Sequence, residues 1–271
     1  MKKHYIPLIL LILALSFGIF RMRNFIRFVF VQQHRPEEVK LNQLEYHQEG
    51  IFEVYIYAVD RTWKSRSIHA LNKVFSDELI LFKIPISVMR FENVTEEPMG
   101  NDSRASLDCW FNTQYFMENF QPCDSWRDKQ YVLGSQRYEH ATLVINSNGE
   151  PLISAGANRN SSDQLFECRY THRPGKKQSL NMDNLNYRSY MAVNSQYVYY
   201  AVGFGNSLIS CSDADALMKL HDIDRWIITD GGTSIDYCFK GRHTTYQFSS
   251  VPLRSIFSKW NSPYFLGANA R

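Results

Sequence analysis

The chain has 271 residues, with 30 Lys and Arg against 27 Asp and Glu, for a formal net charge of +3. That balance argues against a nucleic-acid binder that works by neutralising phosphates along a groove. Hydrophobic residues at 44% and charged residues at 21% exclude a mostly disordered chain, and only 13 Gly and 9 Pro exclude collagen-like or low-complexity character. An aromatic share of 14% points to a large core or to stacking surfaces.

The chain opens on Lys2, Lys3 and His4, and an apolar run from Ile6 to Phe20 follows. Arg21, Arg23 and Arg27 come next. A basic start before such a run is the pattern of a secretory signal or a short membrane anchor. Small residues at Ala14, Ser16 and Gly18 would allow cleavage. The apolar cleavage region and the arginines behind it favour an uncleaved anchor within residues 1–33. Residues 34–50 are polar and charged and read as a linker. Residues 51–271 then form one exported domain, on the periplasmic or extracellular face.

Within that domain, Ile51 to Val59 alternates, with Phe52, Val54, Ile56 and Ala58 on one face and Glu53, Tyr55 and Tyr57 on the other. Period two predicts a strand. Leu79 to Phe91 reads as strand, bend at Pro85, strand, and Glu92 to Asp108 as a loop. Ala141 to Ile145 and Leu152 to Ala155 flank Asn148-Gly149, a strong hairpin signal. Asn158 to Asn186 reads as a long polar loop around the basic cluster His172-Arg173-Pro174-Gly175-Lys176-Lys177. Arg188 to Val193 and Tyr197 to Val202 predict two strands. A helix capped by Ser212 carries Ala214, Leu217, Met218 and Leu220 at helical spacing. Trp226 to Thr229 is a short apolar strand, and Tyr237 to Phe239 another. No internal repeat is present. The fold class expected is α+β: a single domain around a mixed, strand-rich sheet with few helices, preceded by the N-terminal anchor helix.

Five cysteines, Cys109, Cys123, Cys168, Cys211 and Cys238, lack CxxC spacing, so a zinc ribbon is not expected. In an oxidising compartment Cys109–Cys123 would be the natural disulfide. Asn93, Asn101 and Asn160 are glycosylation sequons. His140, His172, His221 and His243 show no metal-ligand spacing, and no EF-hand loop occurs. Cys109, His140 and Asn146 follow the chain order of papain-like proteases, but their spacing is far too short.

The densest chemistry lies in Asp230-Gly231-Gly232-Thr233-Ser234, directly after the strand ending at Thr229. Two glycines let backbone N–H groups approach a ligand closely, and successive N–H groups make an anion nest. A carboxylate and two hydroxyls stand beside them.

Four further pieces surround this one in order: Trp110-Phe111-Asn112-Thr113-Gln114-Tyr115-Phe116, the strand Arg188 to Val193, the helix region Ser210 to Ile223, and Val251-Pro252-Leu253-Arg254-Ser255-Ile256. Together they resemble the phosphodiester glycosidase family over about Ile51 to the C-terminus, with Asp230 to Ser234 similar to its Asp-Gly-Gly-Gly-Ser signature. Two positions depart from the pattern: Thr233 replaces the third glycine, and Thr229 replaces the usual Leu or Val.

The resemblance implies hydrolysis at a sugar anomeric carbon whose leaving group is a phosphodiester. It implies Asp230 as the carboxylate near C1, with Asp236 and Glu150 as weaker choices. Arg188 and Arg254 would grip phosphate oxygens. Gly231, Gly232, Thr233 and Ser234 would supply donors, and Asn112 would meet a sugar hydroxyl. The partners implied are a glycan or sugar-phosphate substrate, and the membrane through the N-terminal segment, with no nucleic acid. No cofactor is implied; divalent-cation dependence is left open. Thr233 is expected at negative φ with its hydroxyl towards the phosphate. The rival expectation is a catalytically silent carbohydrate or cell-envelope binding module on the same fold.

Overall fold

A computed structural model describes residues 27, 31, 34, 36–73, 76–95, 103–113, 126–128, 131–133, 141–154, 164–168, 185–205, 207–223, 226–229, 231, 235–249 and 264–271. It is a single strand-rich α+β domain with two short helices, α1 (Arg66–Lys73) and α2 (Cys211–Leu220), among the described residues. The strands fall into three sheets where one was expected, and every described ladder is antiparallel.

The first sheet has six strands. Its order is β1 (Glu38–Glu49), β2 (Phe52–Thr62), β3 (Asp77–Pro85), β12 (Tyr197–Gly203), β11 (Ser189–Val193) and β13 (Trp226–Ile228). The second runs β15 (Thr245–Ser249), β14 (Asp236–Lys240), β5 (Cys109–Asn112), β16 (Tyr264–Ala270) and β4 (Met89–Thr95). The third runs β7 (Tyr131–Leu133), β6 (Trp126–Asp128), β10 (Gln164–Cys168), β8 (Ala141–Ile145) and β9 (Pro151–Ser154).

The main core fills the space between the first two sheets. Alternation in β2 sends Phe52, Val54 and Ile56 inward, where they join Ile80, Phe82 and Ile84 of β3. Phe111 and Phe239 answer from the second sheet. The Phe82 and Phe239 rings stack with centroids 3.8 Å apart, and Phe111 stacks on Tyr200 at 4.2 Å. Among the described residues, these rings form the centre of the core. Each such ring, fully buried, contributes about 1.5–3 kcal/mol.

The other face of the first sheet is covered by α2. Ala214, Leu217 and Met218 pack on Leu79, Leu81, Tyr190 and Trp226. The cap of this helix is Ser210, two residues before the Ser212 expected. Its hydroxyl accepts from the Asp213 N–H, and the Asp213 carboxylate accepts from the Ser210 N–H at 2.6 Å. This is a full capping box, which the single-residue reading of Ser212 overlooked.

Three further expectations are corrected. Glu38–Glu49, expected as linker, is strand β1, paired along its length with β2 around a turn at Gly50. The polar stretch from Asn158 contains β10 at Gln164–Cys168, paired with β8. The Cys109–Cys123 disulfide is not formed: Cys109 is a free thiol at 1% exposure in the core face of β5. Burial pushes that thiol well above its ordinary range. Cys211 and Cys238 are buried as well, and neither is in a disulfide. Cys123 and the basic cluster at His172 lie outside the described residues.

The apolar run from Ile6 to Phe20 also lies outside them. No helix among the described residues is long and apolar enough to cross a membrane. Two residues of the expected anchor segment are described, and both are buried in the domain. Val31 packs with Trp63, Ile68, Leu185 and Leu208. Arg27 donates to Asp77 Oδ1 at 2.7 Å, to Asp77 Oδ2, and to Asn72 Oδ1 at 2.9 Å. Arg61 completes the cluster, with bonds of 2.7 Å to each Asp213 oxygen, one to Asp77, and one of 2.9 Å to the Leu208 carbonyl. Two buried guanidiniums thus face two buried carboxylates.

Candidate active site

The signature stretch crosses between sheets. Its leading strand, β13, is an edge of the first sheet and pairs with β11 through Tyr190↔Ile228 and Ala192↔Trp226. Its following strand, β14, lies in the second sheet and pairs with β5 through Tyr237↔Phe111. Residues 230–234 join these two strands, and both flanks are anchored. Thr229 is fully buried and Ile235 is 2% exposed.

Each flank is held by groups from the other expected pieces. On the β13 side, the Thr229 N–H donates to the Ser189 carbonyl at 3.0 Å, and the two hydroxyls share a buried hydrogen bond of 2.6 Å. The departure at Thr229 thus has a local reason. A buried hydroxyl needs a partner, and Ser189 provides one. This pair ties the strand that precedes Asp230 to the residue that follows Arg188.

On the β14 side, the Asn112 amide oxygen accepts from the Asp236 N–H at 3.0 Å. Asn112 is fully buried, so the side chain expected to meet a sugar hydroxyl has its oxygen engaged in fixing the loop exit. Thr113 follows it, 1% exposed, and its hydroxyl has no partner among the described residues.

Gly231 closes the arrangement. A Cβ built there would lie 2.8 Å from the Tyr187 carbonyl oxygen and 3.5 Å from the Arg188 Cα. The first signature glycine is therefore glycine because the Tyr187-Arg188 backbone passes directly over it. Arg188 itself is buried at 7% exposure. Gly231→Ala is expected to destabilise the domain by about 1–3 kcal/mol through this overlap. Thermal melting and steady-state kinetics check it. A variant with unchanged melting temperature and activity would contradict the close approach.

Gly231 packs against the Tyr187-Arg188 backbone, and Asn112 holds Asp236 at the start of β14. Asp230, Gly232, Thr233, Ser234 and Arg254 lie outside the described residues. The expected negative φ of Thr233 lies there too.

The two weaker carboxylates stand in different places, Asp236 at the loop exit beside Asn112 and Glu150 in the β8–β9 turn. Asp236 is buried and ion-paired with Arg104 at 3.2 Å, and that guanidinium lies 4.2 Å over the Trp110 ring. Glu150 accepts from the Asn146 amide at 3.0 Å within the β8–β9 turn and lies 3.6 Å from Arg271. Among the described residues no three His, Cys, Asp or Glu side chains gather as metal ligands.

The sequence reading missed the Ser189–Thr229 pair and Tyr187. Neither carries a motif. Each becomes visible only when β11 and β13 are known to be neighbours.

The catalytic domain of zebrafish N-acetylglucosamine-1-phosphodiester α-N-acetylglucosaminidase, solved in a form auto-inhibited by its pro-peptide, superposes on 88% of this chain and 95% of its own, with a TM-score of 0.53 and 14% identity. The two share a fold. A hypothetical protein from Synechocystis aligns over 87% of this chain and 64% of its own, with a TM-score of 0.45 and 9% identity. No protein-family model matches the chain, and no curated protein does.

Proposed function

We propose that the chain is a hydrolase that cleaves the C1–O bond of a sugar-1-phosphodiester in a glycan or cell-envelope substrate, held at a membrane by its N-terminal segment. The observation that carries this reading is the packing of Gly231 on Tyr187-Arg188, which brings the signature and the arginine together at the sheet crossing. The fold shared with a domain named for cleaving an N-acetylglucosamine-1-phosphodiester supports it. The basic and apolar N-terminus supports the membrane attachment.

The chemistry needs two things at one place. Phosphate oxygens need cations and N–H donors, and C1 needs a carboxylate as positive charge develops on the sugar ring. Arg188 and Arg254 supply the cations in this reading, and the backbone around Gly231 and Gly232 the donors. Asp230 supplies the carboxylate, as nucleophile or as stabiliser. A phosphodiester departs as a weak base, so it needs little help from a general acid. Asn112 acts as a positioning residue that sets the loop exit.

The rival reading is a binding module without turnover, and Thr233 favours it by placing a Cβ where the family pattern has glycine. The purified full-length protein, incubated with the methyl ester of α-N-acetylglucosamine-1-phosphate, decides between them. Release of free sugar in proportion to enzyme supports the hydrolase. Saturable binding without release at any enzyme concentration supports the module.

A further inference from the structure

We infer that two copies of this chain associate edge to edge through β1, in an antiparallel pairing about a two-fold axis that continues the first sheet from one copy into the other. This association does not depend on the hydrolase reading.

β1 is the outermost strand of its sheet, and among the described residues no strand lies on its free side. It runs for 12 residues, and all but Val39, Leu41 and Glu49 are exposed. A long open edge presents a row of unpaired N–H and C=O groups to any other strand. Two large apolar side chains stand exposed on it, Leu44 at 53% and Tyr46 at 47%. Charged side chains ordinarily keep such edges apart. On β1 their signs are ordered so that they match a second copy of the same strand.

The register shift in β1 decides how. Between Gln43 and Glu45 the pairing with β2 moves by one residue, and Leu44 is the extra one. The faces therefore exchange there. Val39 and Leu41 lie on the α2 face, and beyond the shift so does Tyr46, whose ring packs on Tyr55. The opposite face carries Glu38 and Lys40 before the shift and Glu45 and His47 after it. In an antiparallel pair, residues directly opposite share a face. With the shift near its centre, β1 meets this condition against itself when Lys40 lies opposite the second copy's Glu45. Glu38 then faces His47, Val39 faces Tyr46 and Leu41 faces Leu44, and the two-fold axis makes each pair twice. Lys40 meets a carboxylate, Glu38 an imidazole, and apolar side chains meet apolar ones. Neighbouring registers fail. Sliding the copies by two residues sets Glu38 opposite Glu45 in one direction and Lys40 opposite His47 in the other. A one-residue slip sets side chains of opposite faces against each other. The order of charges thus singles out a copy of β1 itself, rather than an unrelated extended peptide, as the strand that fits this edge.

The test is sedimentation equilibrium of the full-length protein in detergent micelles over a range of concentrations. The expected wild-type species is a dimer. Lys40→Glu alone, or Glu45→Lys alone, sets like charges opposite each other at two symmetry-related pairs. Each is expected to raise the dimer dissociation constant at least about tenfold. The two substitutions together exchange the charges and should bring it back to within about threefold of wild type. Both positions are exposed, so the melting curves of all three variants should match wild type. Carbodiimide coupling in a mixture of ordinary and nitrogen-15-labelled chains should join Lys40 of one mass to Glu45 of the other. A monomer at every concentration would overturn the inference. So would a dimer that both single reversals leave unchanged, because its contact then lies elsewhere, or a cross-link that joins Lys40 to a different residue of the second copy.

Discussion

Asp230→Asn is expected to lower kcat on a sugar-1-phosphodiester by about 10²–10⁴-fold. Asp230 follows Thr229, whose hydroxyl and N–H are both bonded to Ser189, and precedes Gly231, which packs on the Tyr187 carbonyl. Its sequence neighbours on both sides are thus held. In the proposed hydrolase reading, Asp230 stabilises the positive charge that develops at C1. The amide of Asn preserves size and removes the charge. KM should therefore change by no more than about threefold, since the interaction lost is made in the transition state. Steady-state kinetics with a melting curve on the same preparation check both halves. A variant that keeps its fold and retains kcat would remove Asp230 from the chemistry.

Arg61→Ala is expected to destabilise the domain by about 3–5 kcal/mol. Arg61 is the hub of the buried cluster. It makes two bonds to Asp213, one to Asp77 and one to the Leu208 carbonyl. Truncation leaves the Asp213 carboxylate buried at the start of α2 without its cation, and α2 packs on the strand that leads to the signature. For a domain of this size the melting temperature should fall by roughly 6–20 °C. Arg27→Ala should cost less, because Asp77 keeps Arg61. Burial disfavours the charged form of Asp77, but the Arg27 and Arg61 guanidiniums outweigh it and hold the carboxyl below its usual 3.8. A carboxyl depressed in the folded state contributes stability that is fully present above its unfolded value. That contribution is lost as pH falls through the folded value. The wild-type advantage from Asp77 should thus be flat between about pH 5 and 8 and fade only below about pH 4. Urea unfolding of both proteins across that range reads it. A melting temperature within about 2 °C of wild type would show that the cluster contributes little.

Most of what the sequence shows plainly comes from strong periodicity. β2 alternates, β8 and β9 flank the Asn148-Gly149 turn, β11 and β12 are short apolar runs, and α2 repeats at helical spacing; the structure has each of these elements, with Leu220 of α2 exposed rather than in the packed face. β1 is hard to read because most of its residues are exposed and its apolar alternation, Val39 and Leu41 and then Leu44 and Tyr46, changes phase at the register shift between Gln43 and Glu45. Only its pairing with β2 makes it a strand. β10 was hidden in a stretch whose composition reads as loop. The Ser210 cap is local, a capping box with Asp213 three residues on, and the reading of Ser212 alone passes over it; what the sequence does not show is that Asp213 also binds Arg61, 152 residues away. The buried role of Arg27 was illegible for the same reason, since an arginine behind an apolar run reads as a membrane-flanking cation. For the site, the signature and its order with Asn112 and Arg188 were readable as a pattern. The local reason for Thr229 was not, because it depends on Ser189 across a strand pair.

The bond that breaks is the central claim, and isotope labelling reads it directly. Hydrolysis of the methyl ester of α-N-acetylglucosamine-1-phosphate in water enriched in oxygen-18 divides the possibilities by the mass of the phosphate product. Attack of water at C1 leaves the methyl phosphate unlabelled and puts the heavy oxygen on the sugar. The proposed hydrolase reading predicts that result. Oxygen-18 in the methyl phosphate, or in a sugar phosphate, would mean attack at phosphorus and would contradict it.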